Sequence, residues 1–132
     1  IFLFFCFSIY FYSCFSSLLY EKSLRSFFSN LLKMYEIYAT ETFKKIFDSL
    51  DKSERDLVDK LKENFKDYPT GKPLGYKWFR EKKYLNKRLY FLIDEESQKI
   101  LFVSFAPKKE QQEIINFVKS NMKELLAYLK SL

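Results

Sequence analysis

The chain has 132 residues and a formal net charge of +6, from 23 Lys and Arg against 17 Asp and Glu. This length is enough for one domain with a modest core. The sequence contains no histidine, which excludes histidine-based acid–base chemistry and most zinc sites. Its two glycines are too few for a glycine-rich phosphate loop, and its two cysteines, Cys6 and Cys14, match no metal-ligand spacing. We therefore expect no metal and no cofactor.

The first 20 residues carry no charge and consist mostly of Phe, Tyr, Ser, Leu and Cys, whereas the chain from Met34 onward mixes charged and apolar residues. An uncharged run of about 20 residues is long enough to span a bilayer, and Lys22 and Arg25 behind it favour a cytoplasmic C-terminal side. The same residues are also those that T-rich codons encode. We interpret residues 1–33 as a non-native extension translated from upstream sequence, with a cytoplasmic domain over 34–132. A membrane anchor through residues 1–20 is the alternative.

The first elements of the domain follow from apolar spacing. Residues 34–39 alternate and are rich in Tyr and Ile, which predicts a strand. Thr40 is placed to cap a helix whose apolar residues recur at helical spacing over 43–50. Ser53 is predicted to cap a second helix with an apolar stripe over 57–65. The two helices are expected to form a scaffold hairpin.

The rest of the domain reads mainly as strands. Residues 68–74 contain two prolines and a glycine and are predicted to form a loop. Two strands over 76–84 and 87–93 follow, joined by a tight two-residue turn, and the apolar run 100–106 predicts a buried central strand. A long helix is expected over 108–132. The predicted order is β-α-α-β-β-β-α, an α+β fold with a largely antiparallel four-stranded sheet.

The positive charge is concentrated between residues 72 and 88, where Glu81 is the only anion, so that this segment carries the net charge of the whole chain. Lysines can simply protect an edge strand from aggregation. The presence of two arginines and interleaved aromatic residues favours binding of phosphate instead. The seven cations are Lys72, Lys77, Arg80, Lys82, Lys83, Lys87 and Arg88.

Strand alternation predicts how these cations are arranged. Arg80 and Lys82 are expected to share one face and Glu81 to lie on the other. Pairing with the next strand is expected to bring Arg88 beside Arg80 and Lys82, whereas Lys72 is expected in a loop. Cations with aromatic neighbours suit phosphate contact with base stacking. The supporting candidates are Lys77, Lys83, Lys87, Lys108 and Tyr90.

Several runs of this sequence resemble the RelE/ParE superfamily, the toxins of type II toxin–antitoxin modules. They are Gly71-Lys72-Pro73-Leu74, Phe79-Arg80-Glu81-Lys82 and Lys87-Arg88-Leu89-Tyr90-Phe91-Leu92. A further run over 103–112 looks like archaeal RelE-like members, the nearest group by this resemblance. The similarity extends from Met34 to about residue 129. It implies a RelE/ParE-like fold and a small toxin that a cognate antitoxin neutralises.

The resemblance also implies a site and two activities. RelE members cleave mRNA in the ribosomal A site and arrest translation, whereas ParE members poison DNA gyrase. Arg80 and Lys82 match two basic residues of the RelE site, Arg88 matches an arginine on the next strand, and Lys109 lies where the family has a later arginine. At the position of the family's tyrosine this chain has Ile115.

Three functions therefore remain open. The first is a metal-independent endoribonuclease that acts on mRNA at the ribosome, with the RNA 2′-hydroxyl as nucleophile and Lys82 as the candidate base. The second is a ParE-like inhibitor of DNA gyrase without chemistry, which Ile115 favours. The third is a decayed, non-toxic module that binds nucleic acid or protein. The expected partner in the first two is an antitoxin, and a membrane is involved only if residues 1–33 are native.

Overall fold

The structure is a computed structural model that describes residues 34–132 and, before them, Leu24 alone. Residues 34–132 form one compact unit. The interpretations of the N-terminal extension, as upstream translation or as a membrane anchor, concern residues outside this described unit. Within the described part of the chain, no helix has the length and apolar character needed to cross a membrane.

The described unit contains five strands and four α-helices, which confirms the predicted α+β class. The strands are β1 (Glu36–Ala39), β2 (Lys72–Tyr76), β3 (Phe79–Tyr84), β4 (Lys87–Asp94) and β5 (Lys99–Pro107). The helices are α1 (Glu41–Ser49), α2 (Lys52–Asp67), α3 (Gln111–Ser120) and α4 (Met122–Ser131), and a 3-10 turn over Lys108–Glu110 precedes α3.

The strands form one sheet in the order β1-β5-β4-β3-β2. The outer strand β1 pairs in parallel with β5, and the remaining pairs are antiparallel, as predicted. The sheet has five strands and not four, because β2 occupies part of the predicted loop. An edge position tolerates its proline, Pro73, and the register shift that precedes Tyr76.

The helical hairpin starts as its sequence predicts, but its second cap differs. The Thr40 hydroxyl accepts a hydrogen bond from the Phe43 amide at 3.1 Å, which confirms the predicted cap of α1. Helix α2 is capped by Asp51, whose carboxylate accepts from the Glu54 amide at 2.8 Å. The predicted cap at Ser53 is wrong because Asp51 is an equally good capping residue that comes first and leaves Ser53 inside the first turn.

The predicted long C-terminal helix is divided into two. Asn121 ends α3 with φ −111° and ψ 18°, and its side-chain amide donates to the Phe117 carbonyl at 2.9 Å. The backbone N–H of Asn121 donates to the same carbonyl at 3.0 Å, so the helical hydrogen bond is kept and the division comes from the backbone angles of Asn121, a residue with a low helix propensity. The result is two ten-residue helices, α3 and α4, in place of one helix.

Helices cover both faces of the sheet, and each face has its own core. On the face that we call the α1/α2 face, Phe65 packs against Phe91, with ring centroids 4.9 Å apart. The opposite face, the α3/α4 face, buries Phe79 and Leu92 with Val118 of α3. The cations of the hairpin formed by β3 and β4 are divided between these two faces.

Candidate nucleic-acid interface

The pairing of β3 with β4 divides the predicted cation cluster between the two faces. Lys82 lies opposite Leu89, whereas Lys83 lies opposite Arg88. Residues directly opposed in an antiparallel pair point to the same face. Arg80 and Lys82 therefore lie on the α1/α2 face, and Arg88 lies on the α3/α4 face. The prediction that Arg88 lies beside Arg80 and Lys82 is wrong.

The signal for this division was present in the sequence. The tight turn at Leu85 and Asn86 was predicted correctly, and it places Tyr84 opposite Lys87. Every opposed pair then joins an even-numbered residue to an odd-numbered one. The even-numbered Arg88 therefore cannot share a face with the even-numbered cations of β3.

Arg80 lies at the start of β3, where its guanidinium binds two neighbouring groups. Its Nε donates to the Lys77 carbonyl at 2.8 Å, and its Nη2 forms an ion pair with Glu95 at 3.1 Å. Glu95 follows β4, so this ion pair ties the start of β3 to the turn between β4 and β5. Lys77 itself is exposed in the turn between β2 and β3, away from Arg88.

The other two cations of the α1/α2 face also have partners. Lys82 Nζ donates to the Thr70 hydroxyl at 2.9 Å, which ties β3 to the segment before β2. Lys87 Nζ forms an ion pair with Glu54 of α2 at 2.7 Å and lies 5.6 Å from the centre of the Phe105 ring. These contacts join the hairpin to its surroundings and do not assemble a shared anion site.

A polar network lies on the α3/α4 face. Glu81 is buried, with 5% of its surface exposed. One carboxylate oxygen accepts a hydrogen bond from Arg88 Nη1 at 2.7 Å, and the other accepts from Gln111 Nε2 at 2.9 Å. Alternation correctly placed Glu81 away from Lys82, but the contact with Gln111, 30 residues further along the chain, had no signal in the sequence.

Tyr90 lies opposite Glu81 and is fully buried. Its hydroxyl has no hydrogen-bond partner among the described residues. Burial, and next the negative charge of Glu81, raise the pKa of Tyr90 above its usual value. The prediction that Tyr90 contributes to RNA binding by stacking is wrong, because a fully buried ring presents no face to a base.

Four exposed lysines are neighbours of the network, two by strand pairing and two along the chain. Lys72 lies opposite Glu81 on β2, and Lys83 lies opposite Arg88, so both belong to the α3/α4 face and both are exposed. Lys72 was missed because the sequence placed it in a loop. Lys108 and Lys109 are exposed in the 3-10 turn directly before Gln111. We call the four lysines and Arg88 the basic cradle: Lys72, Lys83, Arg88, Lys108 and Lys109.

Solved structures of bacterial toxins share this architecture. A mutant of the Escherichia coli toxin RelE in the free state superposes with a TM-score of 0.57 at 17% identity, covering 66% of this chain and 97% of that one. A chain of the toxin–antitoxin complex RelBE2 from Mycobacterium tuberculosis superposes with a TM-score of 0.51 at 19% identity, covering 57% of this chain and 99% of that one. The described domain has the RelE fold.

No protein-family model matches the sequence, and no curated protein gives a significant match. The intact E. coli RelBE toxin–antitoxin complex also shares the RelE fold, with a TM-score of 0.51 at 18% identity, covering 55% of this chain and 95% of that one. At these identities the likeness establishes the fold. The nearer relation to archaeal members stays a prediction.

Two further facts describe the surroundings of the basic cradle. Ile115, at the position expected to hold a tyrosine, is partly buried against the core of the α3/α4 face. Among residues 34–132, no cluster of His, Cys, Asp and Glu could hold a metal ion.

Proposed function

We propose that this protein is the toxin of a type II toxin–antitoxin module and that it arrests translation by cleaving mRNA at the ribosome. The observation that carries the proposal is the RelE fold, shared with a RelE toxin at a TM-score of 0.57. The concentration of positive charge in one hairpin supports a polyanionic target.

The basic cradle is the proposed contact surface for the RNA backbone. Attack by the RNA 2′-hydroxyl on the adjacent phosphate needs the backbone held in line and the charge on the phosphorane stabilised. Arg88 suits this task because its guanidinium can donate two parallel hydrogen bonds to a phosphate. Lys109 stays a candidate catalytic residue, whereas Arg80 and Lys82 are reassigned to structural contacts.

A cognate antitoxin is the proposed partner. An acidic segment that lies over the basic cradle would neutralise exposed cations and block access of RNA to Arg88. Binding of this kind is expected to weaken as the salt concentration rises. The sharing of this fold with toxins in the M. tuberculosis and E. coli toxin–antitoxin complexes supports the proposal.

Two observations favour a second candidate, a gyrase inhibitor that binds without chemistry. Arg88 is already paired with a buried carboxylate, and Ile115 provides no hydroxyl. Both features lower the capacity of the site for acid–base work. A decayed, non-toxic binding module would share them.

Induced expression of the full chain in bacteria, with separate readouts of translation and plasmid supercoiling, tests the proposal. We expect translation to stop, translated mRNA to be cut and supercoiling to stay unchanged. Arg88→Ala should reduce the cleavage rate by roughly 100- to 1000-fold, about 2.7–4 kcal/mol, because a preorganised charge contact is lost.

Arg55→Ala is the matched control, because Arg55 is an exposed arginine on α2, on the opposite side of the sheet. It should arrest translation as strongly as the unchanged chain. A change in supercoiling with translation intact would favour the gyrase candidate, and growth without arrest would favour the decayed module.

A further inference from the structure

The contact between Glu81 and Arg88 leaves one side of the arginine free. The hydrogen bond from Nη1 to Glu81 is the only side-chain hydrogen bond that Arg88 makes within the described unit. A guanidinium carries five N–H donors in a rigid plane, so Nε and Nη2 stay available. The Arg88 side chain is 16% exposed, which leaves it accessible from solvent at the edge of a buried network.

Glu81 is itself held in place from two directions. It rises from β3 in the interior of the sheet, and Gln111 at the start of α3 donates to its second oxygen at 2.9 Å. The carboxylate is nearly inaccessible, so it does not contact a bound anion directly. A fixed carboxylate limits the rotamers of the arginine that it binds and so lowers the entropy cost of forming a site.

Two exposed lysines flank this pair at defined positions. Lys72 lies across from Glu81 on β2, and Lys83 lies across from Arg88 on β3. These two lysines and Arg88 outnumber Glu81. Glu110, whose negative charge also reaches Tyr90, follows two further lysines in the 3-10 turn, so positive charge stays in surplus on this part of the α3/α4 face. Stability alone does not account for the arrangement, since a buried ion pair contributes little compared with apolar packing.

We infer that Glu81 is a positioning residue that aims the free side of Arg88 at a phosphodiester, which Lys72 and Lys83 bind from either side. The identification of the ligand as an RNA backbone rests on the proposed function. Glu81 acts on the ligand only through Arg88. The hydrogen bond from Gln111 holds the Glu81 carboxylate in place. Lys72 thereby becomes part of the binding surface.

Binding of a short 2′-O-methyl RNA to the full chain tests this inference, because such RNA cannot be cleaved by its own 2′-hydroxyl. Glu81→Ala, Glu81→Gln and the control Glu96→Gln each raise the net charge by one. Charge alone predicts tighter binding by all three. We expect Glu81→Ala to weaken binding by on the order of 10- to 100-fold, since a small misplacement of a contact group has effects of this size.

The two other variants separate position from charge. Glu81→Gln keeps an acceptor for Arg88, and the Gln111 amide can rotate to match it, so an intermediate affinity is expected. Glu96 is exposed in the turn between β4 and β5, so Glu96→Gln should bind as tightly as the unchanged chain or slightly more tightly. Thermal unfolding confirms that each variant is folded, and Glu81→Gln provides the comparison if Glu81→Ala does not fold.

A double-mutant cycle with Arg88→Ala shows whether Glu81 acts through the arginine. In the Arg88→Ala background, Glu81→Ala or Glu81→Gln should cause no further loss of affinity. An undiminished loss in that background would overturn the inference. So would full affinity of both folded Glu81 variants, or failure of the unchanged chain to bind the RNA.

The growth assay distinguishes this inference from the proposed function. A chain that shows the expected cycle but does not arrest growth would refute the toxin proposal and keep the binding site. A chain that arrests growth while Glu81 and Arg88 contribute independently to RNA binding would refute the inference and keep the toxin proposal.

Discussion

At the scale of single residues, the contacts of Glu81 with Arg88 and Gln111 define the candidate site. The positive charge of the segment and the alternation within each strand could be predicted from the sequence. The carboxylate's contacts could not, because they depend on Gln111 at the start of α3, which reaches the sheet only when the chain folds. The sequence therefore identified Arg88 but assigned it the wrong neighbours.

Tyr90→Phe is expected to stabilise the protein at neutral pH. The buried Tyr90 hydroxyl has no hydrogen-bond partner within the described unit, and an unsatisfied buried polar group lowers stability. Removing it should raise the free energy of unfolding by about 1 kcal/mol, measured by urea denaturation. Tyr128→Phe, at a half-exposed position of α4, should change it by less than about 0.5 kcal/mol.

The pH dependence of the same variant gives a second readout. Because the pKa of Tyr90 is raised in the folded state, the folded protein holds this proton more tightly than the unfolded chain. With respect to this titration, the free energy of unfolding has its full value below the ordinary tyrosine pKa of 10.0. It falls as the pH rises from there through the folded-state pKa. Tyr90→Phe should flatten the fall in stability above pH 10. A loss of stability for Tyr90→Phe at neutral pH would contradict this account.

At the scale of elements, four of the five strands were predicted from the sequence and β2 was missed. Strand β5 is almost entirely buried and was predicted from its apolar run. Strand β2 contains Pro73 and Gly75 at a sheet edge, where local propensity favours a loop and only pairing with β3 makes a strand. The division of the last helix at Asn121 was missed because apolar spacing continues across it.

The start of α2 offers a direct test of the observed cap. Asp51→Ala should lower the free energy of unfolding by about 1 kcal/mol, because the amide of Glu54 loses its acceptor. Ser53→Ala is the matched control and should leave stability nearly unchanged, since Ser53 lies exposed within the first turn. Chemical denaturation of both variants is sufficient. A larger effect at Ser53 than at Asp51 would show that the helix begins where the sequence first predicted.

At the scale of the whole molecule, the central feature is a basic hairpin whose cations make different contacts on its two faces. On the α1/α2 face, Arg80, Lys82 and Lys87 each contact a neighbouring segment. On the α3/α4 face, Arg88 and Lys83 lie beside a buried carboxylate and open toward solvent. The α+β class was predictable from apolar patterns along the chain, and the RelE-like fold was implied by the resemblance of several runs of residues to that family. The assignment of cations to faces depends on register.

The most direct test of the account compares two charge-matched variants in mRNA cleavage by translating ribosomes. Lys83→Ala/Arg88→Ala and Arg80→Ala/Lys82→Ala each remove two positive charges, from opposite faces of the same hairpin. The account predicts that the first variant loses roughly 100- to 1000-fold in cleavage rate, while the second, if folded, stays near the rate of the unchanged chain. Full activity of Lys83→Ala/Arg88→Ala, with loss confined to Arg80→Ala/Lys82→Ala, would contradict it.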